Sequence, residues 1–356
     1  MTEVNAQDVY VRICQKIPEL EESKVLPRML RFLLTPEQAQ LAAEFPGVDE
    51  ELATRVGRDL ESVKKDLQYM YEIGIGVSSA KSGKWNLPPT HRMLSARIPS
   101  HHKRFLPFLD ADYQDLWVEL DAEYTKMREE KGLPPVIMGA IESRMVPAYW
   151  AVKDKPELQP WEDIRVMLQV AEKIAVIDCP CRERKKQACK MVAHQTCFVF
   201  NKSAEYAVDS KETEKLLTID EALKVIRYAE KSGTVHMVGN NRTLERTALC
   251  NCCNDCCDGL PFYFKGIRHI APSRYQPVIE AELCDGCKTC ATCMFGAIKM
   301  TRNAEGNLKA VLNPDKCLGC LTCTLRCPNG AMKVECIKPE EWVPVEEPKA
   351  AVERGY

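Results

Sequence analysis

The sequence predicts an α+β chain of several domains: a helical N-terminal domain, a small cysteine-rich α/β domain in the middle, and a C-terminal domain organised around two cysteine runs. Three observations carry that expectation. Nineteen of the 356 residues are cysteine, and eight of them lie in two closely spaced runs between 284 and 327. The first ninety or so residues contain Cys14 alone and repeat apolar side chains at helical spacing. Between Pro160 and Leu260, helix-start signals alternate with short apolar runs that lead into nine further cysteines. The expected bounds are 1–94 for the helical domain, 95–159 for a linker, 160–260 for the central domain, 261–337 for the C-terminal domain and 338–356 for an extended tail, in keeping with the size of ordinary domains.

In the N-terminal stretch, Val9, Ile13, Ile17 and Leu20 share one helical face, and Leu26, Met29, Leu30 and Leu33 share another. Thr35-Pro36-Glu37-Gln38 is a capping box with proline at the first helical position, opening a helix through about Phe45. A second helix starts at Asp49 and ends near Gly57. Asp59 caps a third, with Leu60, Val63, Leu67 and Tyr71 on one face and Gly74 as its stop. Val77-Ser-Ser-Ala and Trp85-Asn-Leu87, joined through Lys81-Ser-Gly-Lys84, predict a hairpin. Three helices followed by a hairpin resemble the winged-helix family over roughly residues 25–90, an architecture that either binds DNA or packs against protein. The exposed face of the third helix mixes Glu61, Lys64, Lys65 and Gln68 with Asp59 and Asp66. This composition, even with Lys81 and Lys84 in the turn, describes a solvated face better than a duplex-binding one.

Residues 95–159 are read as a tether. His101 and His102, beside Lys103 and Arg104, are adjacent and so do not face one way on a helix or strand, which favours a solvated turn. Leu116 to Met127 carries a helical pattern, and Leu133-Pro-Pro-Val-Ile-Met138 and Met145-Val-Pro147 read as extended.

The central stretch opens with a helix from Pro160 to about Lys173 and a buried strand, Ile174 to Ile177, that runs into Asp178-Cys-Pro-Cys181. A second helix follows from the capping box Thr218-Ile-Asp-Glu221 to Gly233, then a strand from Thr234 to Val238. Ala171-Glu-Lys173 and Ala229-Glu-Lys231 fall at matching places, a hint of internal repetition. Cys179, Cys181, Cys189 and Cys197 supply four thiols, enough for one metal cage, and Cys250, Cys252, Cys253, Cys256 and Cys257 supply material for a second. One or two additional iron–sulfur clusters are the first expectation here, and zinc held by thiolates is the alternative. Arg182, Arg184, Lys185 and Lys186 either balance cluster charge, face water or dock an acidic partner. His194 and His236 are read as structural, and Cys14 and Cys336 as packed side chains.

The C-terminal runs are Cys284-Asp-Gly-Cys287-Lys-Thr-Cys290-Ala-Thr-Cys293 and Cys317-Leu-Gly-Cys320-Leu-Thr-Cys323-Thr-Leu-Arg-Cys327-Pro328. The second has the C-x2-C-x2-C-x3-C-P spacing of cluster ligands, in which a short loop wraps three thiolates around one cube. A zinc ribbon would leave Cys290, Cys293, Cys323 and Cys327 without a purpose, and a disulfide framework belongs to small secreted chains. Over roughly residues 275–336 the chain resembles the 2[4Fe–4S] ferredoxin family, including Gly286 and Gly319 in the loops and the words Phe295-Gly-Ala-Ile298 and Asn329-Gly-Ala-Met332 after them. The resemblance implies one [4Fe–4S] cluster on Cys284, Cys287, Cys290 and Cys327, and a second on Cys317, Cys320, Cys323 and Cys293. The first run departs from the pattern: two residues separate Cys290 from Cys293, and Met294 stands where the family has proline.

Composition narrows the function. A formal net charge of −2, from 49 Lys and Arg against 51 Asp and Glu, gives no overall attraction to nucleic acid or acidic lipid. The opening residues are polar and acidic, unlike a signal peptide, and no apolar run is long enough to span a bilayer, so a cytoplasmic location is expected. Neither G-x-G-x-x-G nor G-x-x-x-x-G-K-[ST] occurs, so no nucleotide site is expected. With the words Cys179-Pro-Cys181 and Cys250-Asn-Cys-Cys253 ahead of the C-terminal runs, the whole chain resembles multi-cluster iron–sulfur proteins of anaerobic bacteria and archaea with a ferredoxin module at the C-terminus, which implies an architecture rather than a reaction. The leading expectation is an electron-transfer subunit relaying low-potential electrons to or from a larger oxidoreductase complex. A redox-sensing winged-helix regulator and a reductase with an open-site cluster among Cys250–Cys257 are the alternatives. No catalytic residue is assigned.

Overall fold

Capping side chains set where several of the helices begin. The computed structural model describes residues 8–78, 82–89, 94, 97, 98, 111–131, 143–184, 189–192, 195–257, 259–264 and 269–346. The chain divides into two compact units, residues 1–136 with 178–188 and 207–214, and residues 137–177 with 189–206 and 215–356.

In the first unit, α1 (Val9–Cys14) starts at Asp8, whose carboxylate accepts from the Tyr10 amide. Helix α2 (Leu26–Leu33) follows, and α3 (Pro36–Ala43) starts at the reciprocal box of Thr35 and Gln38. Helix α4 (Asp49–Val56) ends at Gly57 in the left-handed region, φ 63°, and α5 (Leu60–Glu72) starts at Asp59, which accepts from the Ser62 amide. Strands β1 (Val77–Ser78) and β2 (Trp85–Asn86) pair antiparallel, and Trp85 also bridges Gly47, which lies between α3 and α4.

The stretch expected as a tether contains α6 (Ala111–Glu130). Its Tyr113, Leu116, Trp117, Leu120 and Tyr124 are buried in the same core as Ile13, Leu26, Met29, Leu30, Leu67 and Met70. Glu123 reinforces this by accepting from Ser23 Oγ at 2.5 Å and from the Lys24 amide at 2.8 Å. An amphipathic pattern in the sequence shows that a helix needs a partner without showing which one.

The second unit is built on a six-stranded sheet in the order β4–β5–β7–β6–β3–β8. Its strands are β3 (Ser143–Val146), β4 (Ile174–Ile177), β5 (Cys197–Phe200), β6 (Val235–Gly239), β7 (Ala248–Cys252) and β8 (Ile270–Ala271). Every neighbouring pair is antiparallel except β3 and β8. The sheet thus draws in strands on both sides of the stretch 160–260. Helices α7 (Ile164–Val170) and α8 (Ile219–Ser232) cover one face, packing Ile164, Met167, Leu168, Ala222 and Ile226 against Val146, Val176, Phe198, Val238 and Leu249. Alternation along each strand puts Met145, Val235, Met237 and Cys252 in a different cluster, with Leu260, Tyr263, Phe295 and Leu318. His236 is buried, its Nδ1 2.5 Å from Asn251 Oδ1 and its Nε2 3.3 Å from Glu230 Oε1, in keeping with a structural role.

Helix α8 starts with the reciprocal box of Thr218 and Glu221, and Lys215 Nζ lies 2.5 Å from Glu221 Oε1. The Lys215 hydrogen bond, followed by those from Thr218, lowers the Glu221 carboxyl from its ordinary value to about 2. A depressed carboxyl contributes stability above its unfolded value, and the contribution is lost as pH falls through the folded one. Thr218→Ala removes the side chain that caps α8 and is expected to destabilise the unit by about 1 kcal/mol. Glu221→Gln is expected to weaken the acid dependence of thermal unfolding between the ordinary glutamate value and about pH 2.

The C-terminal lobe of the same unit contains two antiparallel ladders, β9 (Tyr275–Ile279) with β12 (Met332–Cys336) and β10 (Ile298–Arg302) with β11 (Leu308–Leu312). A short helix, α9 (Thr322–Arg326), lies in the second cysteine run. Among the described residues of the tail, Glu340–Trp342 makes a 3-10 turn. Trp342 Nε1 donates to Pro272 O at 2.8 Å, Arg242 Nε donates to Val343 O at 2.8 Å, and Val343 is 1% exposed. Among the described residues no helix is long and apolar enough to cross a membrane.

Candidate metal centres

The two cysteine runs fold back so that their thiols line two recesses. Cys284, Cys287, Cys290 and Cys327 line one, with Ile279, Met300 and Met332 among the other walls. Cys293, Cys317, Cys320 and Cys323 line another, with Phe295, Ile298, Leu312 and Leu318, and both are partly open to solvent. Each recess takes its fourth thiol from the other run. Cys290 borders both, so the recesses share a wall.

Backbone conformation explains the loops. Gly286 and Gly319 have φ of 75° and 69°, and the residues two further on, Lys288 and Leu321, are also left-handed at 66° and 59°. The two runs therefore repeat one turn, which the glycines make accessible but the lysine and leucine do not announce. A Cβ at Gly286 would lie 2.5 Å from Leu308 O, and one at Gly319 would collide with Tyr275 O and Ser273 Oγ.

Burial pushes the Cys320 thiol up to about 11 and raises those of Cys290, Cys317 and Cys323. Such thiols become thiolates when a metal takes the place of the proton. Sulfur also receives hydrogen bonds: Ala310 N donates to Cys284 Sγ at 3.5 Å, and Thr289 Oγ1 to Cys287 Sγ at 3.4 Å. Four thiols spaced around one recess, apolar walls and donors aimed at sulfur fit the chemistry of an iron–sulfur cube.

The central cysteines divide in a way their linear order does not reveal. Cys250 and Cys252 lie two apart on β7, hence on one face, and the Cys252 thiol is hydrogen-bonded to both Cys250 and Cys257. These three belong to a cluster that includes Phe295, Leu318, Cys293 and Cys320. Cys189, by contrast, meets Cys253, Asp255 and Cys256. Asp255 is not among the ligands expected from the sequence, although its place inside Cys253-Asn-Asp-Cys256 marks it as a candidate.

Cys179 directly precedes the short helix Pro180–Glu183 that contains Cys181, and Cys197 begins β5. Arg184 is buried within the first unit, where its Nη1 lies 2.9 and 3.1 Å from the Asp121 carboxylate and its guanidinium lies over Trp117. Cys14 donates to Tyr10 O, and Cys336 accepts from Arg274 at 3.1 Å, so both serve packing. His101, His102, Lys103, Arg104, Lys185, Lys186 and His194 lie outside the described residues.

A model of the 4Fe–4S dicluster domain matches residues 283–331, the segment that contains all eight cysteines of the two runs. That segment is a ferredoxin-like iron–sulfur domain. No curated protein and no solved structure gives a significant match to the chain.

Proposed function

We propose that the chain is an electron-transfer protein, relaying low-potential electrons to or from a larger redox enzyme or complex. The observation that supports this most directly is the pair of adjoining four-thiol recesses with Cys290 in the wall of both. Cys284, Cys287, Cys290 and Cys327 hold one [4Fe–4S] cluster, and Cys293, Cys317, Cys320 and Cys323 the other. Each cluster supplies one-electron chemistry, at potentials on the order of −400 mV in related centres.

The side chains around them decide how well that works. Phe295, Ile298 and Leu318 limit water at the second recess, which lowers the local dielectric. Cys287 is exposed, giving the first recess a route by which a partner approaches sulfur. The Thr289 hydroxyl stabilises the added charge of the reduced state by its hydrogen bond to Cys287. Thr289→Val is therefore expected to lower the potential of the first cluster, read by protein-film voltammetry, with the iron content unchanged. A further centre on Cys250, Cys252 and Cys257, beside Cys293 and Cys320, would lengthen the relay.

The helix–bridge–helix–helix–hairpin order of the first unit supports the winged-helix likeness, in the form that packs against protein. On and around α5, Lys64 lies 3.2 Å from Glu61, Arg58 2.6 Å from Asp66, and Gln68 donates to Glu72 at 3.0 Å. Charges paired in this way contribute little to phosphate binding.

The test is anaerobic purification with iron and acid-labile sulfide counted per chain, a redox titration, and identification of co-purifying subunits. About eight irons in the dicluster domain, reducible near −400 mV, is the expected result. A colourless chain without sulfide overturns the reading. Salt-dependent duplex binding that changes with oxidation would replace it with the regulator.

A further inference from the structure

We propose that Cys189, Cys253, Asp255 and Cys256 bind a single divalent ion of the zinc class, separate from any iron–sulfur cluster. The ligand atoms of these four residues all lie within 4.8 Å of one another, and among the described residues no other group of three or more His, Cys, Asp or Glu does so. The eight cysteines of the dicluster domain provide an internal comparison. They line their recesses without converging on a single point, as expected when each thiolate binds a different iron of a cube.

The spacing in the central group is that of ligands on one ion. With Zn–S bonds of about 2.3 Å, two sulfurs of a tetrahedral site stand about 3.8 Å apart. Cys189 Sγ is 3.6 Å from Cys253 Sγ and 3.7 Å from Asp255 Oδ1. Cys253-x2-Cys256 places two of the thiols on one turn, closed by the Cys257 amide donating to Cys253 O at 3.2 Å. The carboxylate is oriented as well: Asp255 Oδ2 accepts from the Lys190 amide at 2.8 Å while Oδ1 is turned toward Cys189. Outer hydrogen bonds of this kind fix a ligand before metal arrives.

Donor chemistry selects the ion. Three thiolates exclude calcium and magnesium, which take oxygen ligands, and a tetrahedral set completed by a carboxylate suits zinc. Four protein ligands make the site closed, so its role is structural. It clamps the segment at Cys189 and Lys190, distant in sequence, onto the turn after β7. The proposal is independent of the electron-relay reading.

The experiment uses the full-length chain purified anaerobically. About one zinc per chain is expected, and zinc-edge X-ray absorption should give three sulfurs at about 2.3 Å and one oxygen at about 2.0–2.2 Å. Asp255 is exposed, so its substitution opens no cavity in the core. Losing an outer-shell partner already costs metal sites about 10–100-fold in affinity, so Asp255→Ala should release zinc to a competing chelator at least about tenfold more readily, and Asp255→Cys should restore retention. A double Cys253→Ala, Cys256→Ala variant should lose the zinc and keep all its iron and sulfide. Loss of about four irons with their sulfide from that variant would overturn the proposal in favour of a cube. Zinc retained by it, or an absorption spectrum with four sulfurs, would overturn it equally. Iron in the dicluster domain is counted on the same samples, so failure here is distinguishable from failure of the electron-relay reading.

Discussion

Gly319→Ala is expected to reduce iron and sulfide from about eight to about four per chain, by removing the second cluster and sparing the first. Two effects combine at this position. The left-handed backbone, φ 69°, costs a residue with a Cβ about 1–2 kcal/mol. The larger effect is steric, because the new Cβ would collide with Tyr275 O and Ser273 Oγ. The backbone carbonyl of Tyr275 cannot move aside, and the Ser273 hydroxyl could do so only by giving up its hydrogen bonds. Tyr275 begins β9, which is paired along five residues with β12, while Ser273 N and Oγ donate to Leu318 O and Gly319 O at 3.0 and 2.7 Å. The loop must shift, and with it Cys317 and Cys320 on either side. Gly306→Ala separates the two effects. Its φ is 83°, yet nothing lies within 4 Å of the added Cβ, so it should carry the backbone cost alone and keep both clusters. A Gly319→Ala chain with full iron would show that the loop accommodates the added Cβ without losing its cluster.

Local signals in the sequence translated directly into local structure, and long-range ones did not. The boxes at Thr35 and Thr218 and the Asp59 cap are where helices begin, because a cap is satisfied within four residues of itself. The Val77–Trp85 hairpin is present for the same reason. The helical pattern at Leu116–Met127 was visible, but its burial against Leu26 and Met29 depends on contacts across ninety residues. Membership of β3 and β8 in the central sheet was hidden because each strand is short and paired with a distant one. The middle cysteines illustrate the limit most clearly. Cys250 and Cys252 share a face by the period of a strand, which spacing alone can reveal, whereas Cys189 reaches Cys253 across 64 positions and Asp255 enters by geometry.

Cys293→Ala is expected to damage the second cluster and Cys327→Ala the first, each leaving the neighbouring cluster intact. The departure in the first run makes this informative, since two residues separate Cys290 from Cys293 and three separate Cys323 from Cys327. The structure compensates by changing helix type: Thr289–Thr292 is a 3-10 turn, and Thr322–Arg326 is α-helical. Three steps of about 2.0 Å and four of about 1.5 Å both advance about 6 Å, over close to one turn in each case. Cys293 therefore reaches the second recess as Cys327 reaches the first. Removing either thiol leaves one iron without a protein ligand, so air oxidation should yield a three-iron centre detectable by electron paramagnetic resonance. The Gly319→Ala background assigns the sites, because changes acting on one centre fail to add. In that background Cys293→Ala should lower iron no further, whereas Cys327→Ala should damage the surviving cluster. If Cys293→Ala instead depletes the four irons that Gly319→Ala leaves behind, the exchange of fourth ligands between the runs is wrong, and each run closes its own cage.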